Sequence, residues 1–325
     1  MAVLIKAADY FTEAAEKIGL SWKMPPLVVG VTIVAIGTAL PELATSLVAV
    51  FNGQTQIVAA NALGSNITNI FLIIGICAIS AGVLKIKKSV INANLPLLAA
   101  AVGLIVVIMW DRQVTFGEGV VAILAYLIYA VYLVESGKYK AGLPAGQASK
   151  AEGFIPGQDL PATRETRHYH RRREHFSSNP SLIFALIVSA LAIYLSAAWT
   201  VRSLLSLADM LKIGVSVAVM IALAIGTSLP VLIVSLLAVK KKQYEIALGT
   251  VFGANIFNAL MILGIPSLFK TLIVDEATFS VGIPFLVGAT LIYIISIISK
   301  KIDRLEGGLY LLIYALFVAK LIGLF

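Results

Sequence analysis

The chain has 325 residues, 59% of them hydrophobic and 13% charged, with a mean hydropathy of +0.96 and a net charge of +8. A soluble globular domain carries about a quarter charged residues, so these figures exclude a soluble catalytic domain as the bulk of the molecule. They set nucleic acid aside as a partner too, because basic residues collect in the cytoplasmic loops of membrane proteins.

Apolar runs long enough to cross a hydrocarbon core ~30 Å thick recur from end to end. The predicted spans are 1–16, 25–51, 57–81, 90–110, 115–135, 181–201, 213–239, 245–269, 278–299 and 307–324. The first is short and already reaches Lys6 and Asp9, without the basic start and cleavage site of a signal peptide. Its counterpart in the second half starts near Ser181, so the expectation is either a truncated first helix or a true start upstream, the second being favoured. Cys77, the single cysteine, lies in the apolar third span and reads as packing, which rules out an internal disulfide or thiolate metal cluster. Residues 136–180 form the only long polar stretch. It carries His168, His170 and His175 around Arg171-Arg172-Arg173, and reads as a basic tether attracted to anionic lipid. The expected organisation is therefore a first helical unit at 1–135, a linker at 136–180 and a second unit at 181–325.

Placing the N-terminus outside puts 19 of the 25 Lys and Arg residues on the inner side, including Lys85, Lys240 and Lys301. An excess of this size sets orientation. The expectation is a multi-pass protein of the cell membrane with a cytoplasmic 136–180 linker, whose partners are the lipid bilayer and small cations.

Gly37-Thr38-Ala39-Leu40-Pro41 recurs as Gly226-Thr227-Ser228-Leu229-Pro230, and Gly64-Ser65-Asn66-Ile67-Thr68-Asn69 as Gly253-Ala254-Asn255-Ile256-Phe257-Asn258. Both pairs are offset by 189, and 18 of the 40 positions in 37–76 match 226–265 without a gap. Chance likeness between apolar helices does not hold register through Gly, Pro and Asn. With five spans per half, the second copy enters the membrane inverted, an arrangement that places substrate near the midplane between copies. The predicted fold class is all-α, with ten transmembrane helices as two inverted five-helix repeats.

Polar residues inside these spans mark the candidate site. Pro41 and Pro230 lack an N–H and free the carbonyls of Gly37 and Gly226. Such oxygens suit hard cations. Thr38, Glu42 and Ser46 share one helix face, as do Ser65 and Asn69 on the next span, while Asn66 stands off that face as a candidate tie between helices. Glu42 is the one acidic residue deep within a span; a carboxylate there costs at least ~2.5 kcal/mol on insertion scales, so an ion or proton should meet it. No nucleophile–base pair or metal-ligating His/Cys/Asp set falls inside the spans, so an enzyme is not expected, nor a resident cofactor.

Gly-Thr-x-Leu-Pro-Glu on one helix and Gly-Ser-Asn-Ile-x-Asn on the next, repeated in both halves, resembles the calcium/cation antiporter superfamily, and within it the prokaryotic sodium/calcium exchangers. The resemblance implies ions bound midmembrane between the second, third, seventh and eighth helices, with the first and sixth sliding to alternate access. Carried over by position, it implies ligation by the Ala35 carbonyl, Thr38, Glu42, Ser65 and Asn69 from the first copy, and by the Ala224 carbonyl, Thr227, Ser228 and Asn258 from the second. The family pattern has a second glutamate after Pro230, where this chain has Val231, and hydroxyl residues where it has Ala39 and Ala254. One carboxylate leaves a calcium ion with a net +1 in a low-dielectric site. The expected activity is exchange of a cation such as Ca2+ for Na+ or H+. The alternatives are a monovalent cation/proton exchanger using Glu42 alone, and a transport-incompetent paralogue.

Overall fold

The structure, a computed structural model, describes residues 2–21, 37, 39–86, 88–141, 180–242 and 244–324. Helix α1 covers Ala2–Ser21, α2 Leu40–Phe51, α3 Gln56–Ala81, α4 Lys88–Ile108 and α5 Phe116–Ala141. In the second half follow α6 Pro180–Leu211, α7 Val215–Thr227, α8 Leu229–Lys240, α9 Tyr244–Ser267, α10 Thr278–Ile298 and α11 Arg304–Leu321. Residues 142–179, most of the expected linker with its three histidines, lie outside the described residues.

Among the described residues, four helical stretches are long and apolar enough to cross a membrane: Gln56–Ala81, Leu182–Leu211, Ala247–Ser267 and Thr278–Ile298. Val215–Thr227 and Leu229–Lys240 together make a fifth, bent by 44° at Ser228. The bend falls just before Pro230, where the missing N–H was expected to interrupt the helix. Leu40–Phe51 begins at the matching place, with Pro41 in its first turn.

Burial sorts these helices into layers. Helices α3 and α9 are mostly buried, so both sit at the centre, while α6 is mostly uncovered. Helix α6 shows Ile183, Phe184, Ile187, Leu191 and Trp199 outward and packs along α1. A helix apolar all round that is mostly uncovered by protein is a lipid-facing one.

Contacts around the central helices come in matching sets. Glycines let α3 approach α11, since a Cβ on Gly75 would stand 3.0 Å from the Gly307 carbonyl oxygen and one on Gly307 2.9 Å from that of Gly75. Gly264 and Gly119 do the same for α9 and α5, with Cβ-to-carbonyl distances of 3.0 and 2.9 Å. Two short antiparallel pairings close the loops at the helix ends: β1 (Val83–Lys85) with β4 (Lys301–Asp303), and β2 (Gln113–Val114) with β3 (Leu272–Ile273). Each continues past its strands by one bond, Ile86 N–H to the Lys300 carbonyl and Val274 N–H to the Arg112 carbonyl, both 2.9 Å. Arg112 and Lys300 both take φ 64° to make that turn. Capping boxes follow, Thr115 with Glu118 opening α5 and Asp303 with Glu306 opening α11, each satisfying backbone N–H groups that a helix start leaves free.

Candidate cation-binding site

The site grows from the start of α2. Ala39 is non-helical (φ −101°, ψ 4°), Pro41 occupies the first turn, and Glu42 follows it. Glu42 therefore sits where free N–H groups and the positive end of the helix dipole meet a carboxylate favourably. It is 1% exposed, and it is the sole charged side chain among the buried described residues. Its carboxyl faces the Thr227 and Ser228 hydroxyls at the bend between α7 and α8, close enough to be influenced by both. Neither Oε2 of Glu42 nor Oγ of Ser228 has a hydrogen-bond partner among the described residues.

Helix α3 brings Ser65 and Asn69 to the same interior, with Asn69 in a π-helical turn over Thr68–Ile73. Helix α9 brings Asn255 and Asn258. Two bonds lock α3 to α9: Asn66 Nδ2 donates to the Asn255 carbonyl at 3.2 Å, and Asn69 Nδ2 donates to Asn255 Oδ1 at 3.0 Å. Asn66 is thus the interhelical tie that its off-face position suggested. It bonds the residue equivalent to itself in the other half, at the offset of 189.

Several polar atoms here have no hydrogen-bond partner among the described residues. They include Glu42 Oε2, Ser65 Oγ, Asn69 Oδ1, Ser228 Oγ and both amide atoms of Asn258. A buried polar atom left unmatched costs about 1–3 kcal/mol, so a concentration of them in one core calls for a ligand rather than packing as its explanation. Most are oxygen lone pairs, which suit a hard cation.

The remaining candidates divide. Thr227 donates its hydroxyl to the Leu223 carbonyl at 3.0 Å, so its oxygen keeps lone pairs that a cation could use. The Ala224 carbonyl accepts the Ser228 N–H at 3.1 Å and, more weakly, the Thr227 hydroxyl at 3.5 Å. Ala35 and Thr38 lie outside the described residues. Val231, at the position equivalent to Glu42, is buried with 1% exposure. Among the described residues no group of three or more His, Cys, Asp or Glu side chains comes together.

Sequence reasoning missed two features. Asn61 Nδ2 donates to the Glu42 carbonyl at 3.2 Å and to Ser46 Oγ at 3.1 Å, binding α3 to the turn that carries the carboxylate. An amide within an apolar run was the available signal. Gly64 lies against α7, where a Cβ would stand 2.8 Å from Met220 Cα and 3.1 Å from Ala224 Cβ. Its place beside Ser65 in the repeated motif is thus also a packing requirement.

The family model described as sodium/calcium exchanger protein matches residues 1–135 and 181–323. The chain belongs to the sodium/calcium exchanger protein family. Among relatives of this exchanger-family chain is the sodium/calcium exchanger MaX1 of Methanosarcina acetivorans, 30% identical over 99% of this chain and 96% of its own length. The putative antiporter CaxA of Alkalimonas amylolytica is 28% identical over 97% of this chain and 93% of its own. A solved structure of the sodium-calcium exchanger NCX_Mj, soaked with Na+ and Sr2+, matches with a TM-score of 0.61 at 27% identity, covering 98% of this chain and 95% of that one. The H+/Ca2+ exchanger CAX shares the fold, with a TM-score of 0.72 at 18% identity over 98% of this chain and 79% of that one. The family match places this chain among membrane cation antiporters, in keeping with its apolar outer surface.

Proposed function

We propose that this chain is a secondary active cation antiporter that binds its ion at mid-membrane beside Glu42 and works by alternating access. The observation that carries the reading is the buried Glu42 carboxyl, facing Thr227 and Ser228 across the junction of the two halves. The other ligands in this reading are Ser65, Asn69 and Asn258, whose oxygens are unpartnered, together with the Ala35 and Ala224 carbonyls and Thr38. Broken helices that aim half-helix ends at a midplane site are the transporter solution to coordinating ions with backbone and side-chain oxygen. Counting α7 and α8 as one span, the proposed architecture is ten spans in two inverted five-helix repeats at 1–135 and 181–325, joined by a cytoplasmic 136–180 linker, with the N-terminus outside. The exchange of partners between the two glycine crossings and the two strand pairings supports that architecture.

A second reading concerns the cargo. Glu42 has no acidic counterpart, since Val231 fills the equivalent buried position. A single negative charge matches Na+ or K+ exchanged for H+ better than it matches Ca2+, because an uncompensated buried charge costs several kcal/mol. Sealed vesicles separate the possibilities. Calcium uptake driven by an outward sodium gradient supports calcium exchange, and sodium-dependent proton movement without calcium flux supports the monovalent form. Glu42→Gln abolishes either. Full flux in that variant removes Glu42 from the mechanism, and no flux in the wild type, restored by Val231→Glu, identifies a transport-incompetent relative.

A further inference from the structure

We propose that Asn61 is a positioning residue that holds Glu42 in its working place, an inference that rests on the ion-binding role assigned to Glu42 above. Glu42 occupies the first turn of α2, where a helix has the fewest bonds of its own and where Pro41 has no N–H to donate. Two side chains grip that turn. Thr45 Oγ1 donates to the Pro41 carbonyl at 2.8 Å and the Glu42 carbonyl at 3.0 Å, but it belongs to α2 and moves with it. Asn61 comes from α3, and its Nδ2 reaches the Glu42 carbonyl and Ser46 Oγ. A backbone carbonyl can only accept, which fixes which end of the Asn61 amide faces α2. Asn61, Ser65 and Asn69 follow at intervals of four on one face of α3. The amide therefore registers the turn bearing the carboxylate against the helix bearing two of the other proposed ligands.

The second half of the molecule supplies an internal comparison. At the offset of 189, Ser46 corresponds to Ser235, Asn61 to Thr250 and Glu42 to Val231. Ser235 donates to the Ala247 carbonyl at 3.4 Å. The serine is common to both halves, whereas the asparagine occurs only in the half that carries the carboxylate.

The test reads Glu42 directly. The full-length protein and its Asn61→Leu and Asn61→Thr variants are treated with dicyclohexylcarbodiimide across a pH series, and modification of Glu42 is quantified by mass spectrometry, alongside cation flux in vesicles. Among the charged side chains described on the helices around α2, Lys6, Asp9 and Glu13 on α1, Arg202 and Asp209 on α6, and Lys240 on α8 are exposed. No charged group among the described residues acts on the carboxyl, whose polar neighbours are Thr227 and Ser228, so the labelling profile reports its placement. In both variants the labelling midpoint shifts by about half a pH unit or more, and the KM for the cation rises about three- to tenfold with little change in maximal rate. Asn61→Thr retains a polar side chain and decides the matter if Asn61→Leu does not fold. A shifted midpoint without wild-type flux upholds the positioning role and overturns the antiporter reading. An unmoved midpoint in a folded variant overturns the positioning role, whatever the flux. Failure of wild-type Glu42 to label at any pH means dry packing, and overturns both.

Discussion

Val231 stands directly after Pro230 in the first turn of α8, buried, at the position that Glu42 occupies in the first half. Replacing it with glutamate adds a second carboxylate to an interior that holds one. In a chelator the change costs stability, because a second buried charge without a partner is penalised by several kcal/mol and by repulsion from Glu42. With calcium the balance reverses, since two carboxylates neutralise one divalent ion. If the ion recovers about 3–4 kcal/mol of that penalty, calcium affinity rises by ~10²–10³, at ~1.4 kcal/mol per tenfold. Thermal unfolding of the purified protein across a calcium series reads both effects. The variant melts below the wild type in chelator, and its half-maximal protection occurs at a calcium concentration lower by that factor. Calcium uptake into sodium-loaded vesicles rises with it. A variant destabilised in chelator that calcium does not rescue would refute the reasoning, because position 231 would then not share an ion with Glu42.

The other predictions concern the scaffold. Gly264→Ala and Gly307→Ala each force a methyl to within 3.0 Å of a facing backbone carbonyl oxygen, and should destabilise by about 1–3 kcal/mol in detergent unfolding; Gly103→Ala and Gly288→Ala, with nothing within 4 Å of the added carbon, should not. Asn66→Ala removes the bond to the Asn255 carbonyl; membrane interhelical bonds average about 0.6 kcal/mol, so a small loss of thermal stability is expected, and a gain would contradict the tie. Asp303→Ala breaks the capping box of α11 and should cost about 1 kcal/mol in the same assay, with Asp303→Asn retaining most of it.

Much of the site was legible because its residues break the rules of an apolar span. Glu42, Asn66, Asn69, Asn255 and Asn258 sit in runs where lipid-facing positions cannot tolerate them, and all are buried. The Gly-Thr and Gly-Ser-Asn motifs hold register over 40 positions, and the bend at Ser228 falls where Pro230 required it. What escaped was pairing. The strand pairs are only two or three residues long, and their equivalents fall at an offset of 188, as Arg112 with Lys300 and Glu118 with Glu306 show. A one-residue slip hides them from an ungapped comparison.

The sequence by itself determined that the chain lives in a membrane, that its halves repeat, and that one carboxylate and a few amides must find shelter. These follow from the cost of placing polar groups in hydrocarbon, which depends on residue type and needs no knowledge of neighbours. Only the tertiary structure decided that Asn61 grips the Glu42 turn, that Asn66 and Asn69 meet Asn255, and that Gly75 faces Gly307 while Gly264 faces Gly119. Contact between helices depends on which faces meet and at what height, and an apolar helix carries little of that information in its own residues.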